Sequence, residues 1–169
     1  MKSKLFNIIG FQSCWWACVL GVVNDLQYLG PILMSVFLLI HLLFFKKNNK
    51  EIHLILGVGL FGVLVDTIFL NLNIVEYEYP ISNLIAPLWI IYMWLGFAST
   101  INHSLYWLNN NYIIMFFSGL IFGPLSYIAG LEFGALNFEK SFFVFVIIGF
   151  SWAIIMPIIF YFNKKYVRF

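Results

Sequence analysis

PLWIIYMWLGFASTINHSLYWL, residues 87–108, is the stretch on which the reading of this chain turns. It is long enough to cross a bilayer, which takes about 20 mostly apolar residues. It also holds three of the six tryptophans. Yet it carries Ser99, Thr100, Asn102, His103 and Ser104, a run of hydrogen-bonding side chains that a lipid-facing helix does not tolerate. Two expectations follow: the solvent of this chain is lipid, and part of its interior is polar.

Composition supports the first. Of 169 residues, 63% are hydrophobic, 21% aromatic and only 9% charged, with a mean hydropathy of +0.95. Soluble domains average about 45–50% apolar and about 25% charged. So apolar a chain cannot hide its surface in a soluble core, and a soluble catalytic lobe has no room. No basic block with interleaved aromatics is present, so no nucleic-acid partner is expected. Cys14 and Cys18 lie four apart in an apolar run, poor geometry for a disulfide, and read as small buried residues. Lys2 and Lys4 before an apolar core resemble a signal peptide. No small-x-small cleavage site follows, so the segment is read as a first helix.

Outward from the central stretch, breaks divide the chain into six apolar runs: 5–23, 28–45, 52–72, 84–108, 112–131 and 141–162. The runs are continuous rather than alternating, which argues against a β-barrel. The fold class is an all-α integral membrane protein, a single domain over 1–169 built as a bundle of six transmembrane helices. With six spans, Lys2, Lys4, Lys46, Lys47, Lys50, Lys164, Lys165 and Arg168 fall on one side. Only Lys140 falls on the other, with Asp25, Glu76, Glu78, Glu132 and Glu139. Lys and Arg favour cytoplasmic loops, so both termini are expected in the cytoplasm. The two halves show no inverted repeat of the kind common in transporters.

Ionisable groups within a span usually face the bundle interior. Asp66, about 9 Å from the outer end of its run, has Gly59 and Gly62 on its face, where a neighbouring helix can approach closely. It reads either as a proton-accepting or substrate-contacting carboxylate, or as an interhelical hydrogen-bonding group. On a helical wheel of 84–108, Trp89, Tyr92, Gly96, Ser99, Thr100, His103 and Trp107 form one stripe, with Ile90, Trp94, Phe97 and Ala98 behind it. Such a stripe lines either a helix seam or a ligand pocket. Depth separates Asp66 from His103 by about 20 Å, so these two do not form a catalytic dyad. Asp66, Thr67, Tyr127 and Trp89 instead share a level in the outer half. Asn7, His41, His53 and His103 share the cytoplasmic rim. No H-x-x-x-H pair lies on one helix, so they are read as hydrogen-bonding groups, with no metal and no cofactor. The face bearing Asn7, Gly10, Cys14, Cys18 and Gly21 suits packing on the fourth helix. Gly119/Gly123 and Gly130/Gly134, spaced by four, suit close helix seams.

Four motifs in order carry a resemblance: FQxxWxxCV (Phe11–Val19), GxxxDT (Gly62–Thr67), PLWxxxxWxxFAxTxxHSLxWL (Pro87–Leu108) and GPLxYxAGxxxGA (Gly123–Ala135). The chain resembles a family of small bacterial multi-spanning inner-membrane proteins of unknown function. The resemblance implies a bacterial inner-membrane location. Members often stand beside genes for a cyclopropane-fatty-acid-synthase-like methyltransferase and a flavin-dependent oxidoreductase, which implies lipid-modifying enzymes as partners. It assigns no residue a role, and whether the protein is an enzyme is not readable here. The expected function is that of an accessory protein in membrane-lipid modification, holding a lipid or partner helix along the fourth-helix stripe. The alternatives are an intramembrane enzyme acting on lipid or quinone through Asp66, and a small transporter or lipid translocator.

Overall fold

The computed structural model describes residues 2–167; Arg168, counted above among the basic residues, lies outside them. Six α-helices account for most of the chain: α1 (Lys2–Val23), α2 (Leu29–Ile40), α3 (Glu51–Asn71), α4 (Leu88–Thr100), α5 (Tyr112–Phe133) and α6 (Phe142–Phe162). α2 runs on into a wider π turn at His41–Phe45, and α6 into another at Asn163–Val167. Four segments are long and apolar enough to cross a membrane: Ser3–Val23, Glu51–Asn71, Tyr112–Phe133 and Phe142–Val167. Leu29–Phe45 and Leu88–Thr100 are apolar but shorter. A belt of large apolar side chains faces outward, with Phe142 85% and Ile113 71% exposed. Water would not tolerate such a surface on a monomer, and the belt marks a membrane protein.

The fourth run departs most from expectation. It is helical only over Leu88–Thr100, 13 residues, rather than over 84–108. Pro87 begins it, and its ring biases the preceding residue away from helical backbone. At the other end the Ser99 and Thr100 hydroxyls donate to the carbonyls of Gly96 (2.7 Å) and Phe97 (2.6 Å), back-bonding that bends and weakens a helix. The chain then turns through 101–105 into a short 3-10 segment, Tyr106–Leu108. At about 20 Å, α4 is a short central rod. Trp89, Ile90, Trp94 and Ala98 are buried along it, so the face expected behind the stripe is core.

Glycines set the packing around this rod. A Cβ on Gly62 would lie 1.8 Å from Trp94 Cδ2, and one on Gly59 2.3 Å from Leu95 Cδ2, so both glycines of α3 admit α4 as expected. A Cβ on Gly119 would lie 2.2 Å from the Trp152 carbonyl, and Gly123 faces the same residue's ring; this is the α5–α6 seam. Gly134 departs from expectation: at φ +82° it is the left-handed residue ending α5, with open space around it. The small face of α1 also differs. Gly10 lies against Phe37 and Cys18 against Gly30, both of α2, and Asn7 reaches α4. Both cysteines are buried and free.

The first and last described segments lie at the same end of the bundle. Ser3 meets His103 there, Asn48 donates to the Val167 carbonyl, and Lys164 donates to Asn110. That end carries Lys4, Lys46, Lys47, Lys50, Lys164 and Lys165. At the opposite end the two longer loops pair. Strand β1 (Glu76–Tyr77) runs antiparallel to β2 (Leu136–Asn137), with Tyr77 opposite Leu136. Tyr79 donates to Asp25, which raises the Tyr79 phenol pKa, and Lys140 pairs with Glu132 at 2.6 Å.

Candidate functional sites: two buried carboxylates and a tryptophan-lined cavity

Asp66, 1% exposed, sits one turn beyond Gly62 on the same face of α3. Because Gly62 brings α4 so close, the Trp94 indole N–H donates to Asp66 Oδ2. Tyr127 of α5 donates to Oδ1 at 2.5 Å, and Tyr77 of β1 donates to the same oxygen at 2.5 Å. Thr67 and Trp89 serve this cluster indirectly, by fixing the loop that delivers Tyr77. Thr67 Oγ1 accepts from the Ala86 N–H at 3.2 Å, and the Trp89 indole donates to the Glu78 carbonyl at 3.0 Å. Burial first, then the Asp66 carboxylate, hold the Tyr77 phenol pKa well above its ordinary value of 10.0. The carboxylate therefore faces three neutral donors from three elements. That arrangement ties the far end together.

The second carboxylate is Glu51, at the start of α3 and fully buried. His103 Nε2 lies 2.7 Å from its Oε1, and His41 Nε2 lies 3.3 Å from the same oxygen. The Lys47 backbone N–H donates to Oε2 at 2.8 Å, and Ser3 Oγ contacts His103 Nδ1 at 3.1 Å. Beside this cluster, Asn7 donates to the Ser99 carbonyl (3.2 Å) and accepts from Ser104 Oγ (2.6 Å). Asn102 and Asn163 exchange two bonds, at 3.0 and 2.8 Å. Of the rim histidines, His41 and His103 come together, whereas His53 is exposed on the outside of α3. His103 lies beyond the end of α4, so the stripe breaks at Thr100. Tyr92 is half-buried against the core and joins neither carboxylate.

Four residues of these clusters were not singled out from the sequence: Tyr77, Glu51, Trp94 and Ser3, the last of which carried no signal. Tyr77 had a signal: Val75-Glu76-Tyr77-Glu78 alternates apolar and polar, and Val75 and Tyr77 are the buried pair. Glu51 had one too, as the only acid among the lysines of its end. Trp94 had none, because the wheel placed it behind the stripe, on a face that reads equally as lipid-facing or core-facing.

Between the clusters a cavity of about 700 Å³ runs along α4, bounded by Asp66 and Tyr127 towards one end and by Ser104 and Trp107 towards the other. Its walls come from α1 (Phe11, Gln12, Trp15, Trp16), α4 (Trp89, Met93, Trp94, Phe97, Thr100), α5 (Ser118, Phe122, Ser126, Ala129) and α6 (Trp152, Met156). All six tryptophans of the chain line it. Trp94 and Trp152 stack in its wall, ring centroids 4.7 Å apart and nearly parallel. The exposed lining residues are Ile8, Gln12 and Trp16 on α1, Phe122 and Leu125 on α5, and Trp107. The mouth therefore opens sideways between α1 and α5, towards the surface that carries the apolar belt. Towards the far end Trp16 meets Phe133 edge-on at 5.1 Å. Of the stripe, Trp89, Thr100 and Trp107 reach this cavity, while Tyr92, Ser99 and His103 do not.

A model of a family described as a protein of unknown function (DUF2878) matches residues 4–158. No curated protein and no solved structure matches the chain.

Proposed function

We propose the following for a chain that belongs to the DUF2878 family, whose function is unknown: it is a six-span protein of the bacterial inner membrane that holds one apolar-chain molecule in the cavity beside α4. The observation that carries the reading is the cavity itself, lateral, lined by every tryptophan and almost free of charge. Sites for small molecules are concave, mostly apolar and furnished with a few polar groups. Here Gln12, Ser118, Thr100 and Ser126 supply those groups. The lysine-rich end that gathers the first and last described segments faces the cytoplasm under the positive-inside rule. Holding a lipid for neighbouring lipid-modifying enzymes, rather than altering it, is the role that such a site without a soluble lobe supports.

One observation favours the enzyme reading: the Asp66 carboxylate borders the cavity. Its three neutral donors weigh against that, since an acid or base must have an oxygen free for its substrate. Mass spectrometry of molecules copurifying with the protein tests the proposal. One lipid-like species enriched over bulk membrane lipid, and lost when Ala129→Trp fills the cavity, is the expected result. A lipid profile identical in the two proteins would remove it.

A further inference from the structure

The Glu51 cluster is built more like a set of metal ligands than like a hydrogen-bonded pair. Glu51 and His41 are fully buried and His103 is 1% exposed. One ligand atom from each lies within 4.8 Å of the others. Both rings aim the same nitrogen, Nε2, at the same carboxylate oxygen, Oε1, while Oε2 is taken by the Lys47 N–H. In a tetrahedral site with bonds of about 2.0–2.2 Å, neighbouring ligand atoms lie about 3.3 Å apart. The His41–Glu51 separation is already 3.3 Å, and the His103–Glu51 separation of 2.7 Å has only to widen by about the difference.

The surroundings fit as well. Metal-bound histidines are usually oriented through their other ring nitrogen, and Ser3 Oγ stands 3.1 Å from His103 Nδ1. His41 Nδ1 is buried without a hydrogen-bond partner among the described residues. That ring is hydrogen-bonded from one side only, through Nε2 towards Glu51 Oε1. Imidazole and carboxylate donors together suit zinc, iron and their first-row neighbours.

The geometry points to a divalent transition-metal site formed by His41, Glu51 and His103 at the lysine-rich end of the bundle. Three protein ligands leave at least one coordination position open, as in catalytic rather than purely structural zinc sites.

The test uses the full chain, purified in detergent without a polyhistidine tag or chelator, then stripped and titrated with Zn²⁺ or Co²⁺ alone. Wild-type protein and His53→Gln should each take up roughly one Zn²⁺ per chain and show a raised unfolding temperature. Glu51→Gln and His41→Gln should lose both effects. Ser3→Ala, which removes only the group orienting His103, should weaken Zn²⁺ binding by about tenfold. Co²⁺ should give wild-type protein the visible bands of a low-symmetry nitrogen- and oxygen-ligated ion, which decides the matter even if the Glu51 variant fails to fold. Zn²⁺ uptake no greater in wild type than in folded Glu51→Gln, or a Co²⁺ spectrum of the hydrated ion, would overturn the site.

Discussion

The two buried carboxylates sit towards opposite ends of α3 and are treated in opposite ways. Asp66 is met by two phenols and an indole, groups that stay neutral near physiological pH. Glu51 is met by two imidazoles, the side chain that most commonly binds metals. The first set of partners offers hydrogen bonds alone; the second offers metal-ligating atoms as well. In a membrane interior, where an ionisable residue first suggests a reaction, the partners decide which of the two it is. The cavity lies between them.

Removing the Asp66 carboxylate should have the largest effect of any single change. Asp66→Ala strands three buried donors, and at about 1–3 kcal/mol for each the loss comes to roughly 3–9 kcal/mol. Denaturant titration in micelles should show little folded protein. Near-normal stability would mean that the cluster is no anchor. Gly62→Ala comes next. Its Cβ would collide with the Trp94 ring, and overpacking costs about 1–3 kcal/mol. Gly57→Ala, with nothing near its Cβ, serves as the control and should be neutral or gain up to about 1 kcal/mol. If both substitutions behave alike, the close α3–α4 approach is not what positions Trp94.

Tyr77→Phe leaves one of three donors missing and should cost about 1–2 kcal/mol. It also sets a pH expectation. The folded state holds the Tyr77 proton more tightly than the unfolded chain. This contribution is therefore complete below pH 10 and is lost as pH rises through the elevated folded value. Difference absorbance between wild type and Tyr77→Phe should accordingly show no phenolate at the pH where ordinary tyrosines are half ionised. Full ionisation of Tyr77 at that pH would contradict a cluster of neutral donors around Asp66.

Much of this architecture is legible in the sequence, because it follows from composition and period. Six apolar runs became six helices, and the described lysines other than Lys140 gathered at one end of the bundle. The Asp66–Tyr127 pairing follows from depth alone, as does the separation of Asp66 from His103, which share no partner. What the sequence conceals depends on tertiary choice. A wheel drawn through 84–108 assumes an unbroken helix, but Pro87 and the back-bonding of Ser99 and Thr100 shorten it. That removes His103 from the stripe and turns it towards Glu51. Trp94 could not be placed, because a rod buried on all sides has no outward face to read. Tyr77 reaches inward only because β1 pairs with β2, a contact between loops about sixty residues apart.

The most direct measurement of the central claim is tryptophan quenching in nanodiscs made with brominated-chain lipid. Because all six tryptophans line the cavity, a chain seated there should quench nearly the whole emission, including that of the stacked Trp94–Trp152 pair. Ala129→Phe, which fills the cavity without adding a fluorophore, should leave a protected fraction from the inner rings while Trp107 at the mouth stays quenched. Equal quenching of the two proteins would contradict a lipid-holding cavity.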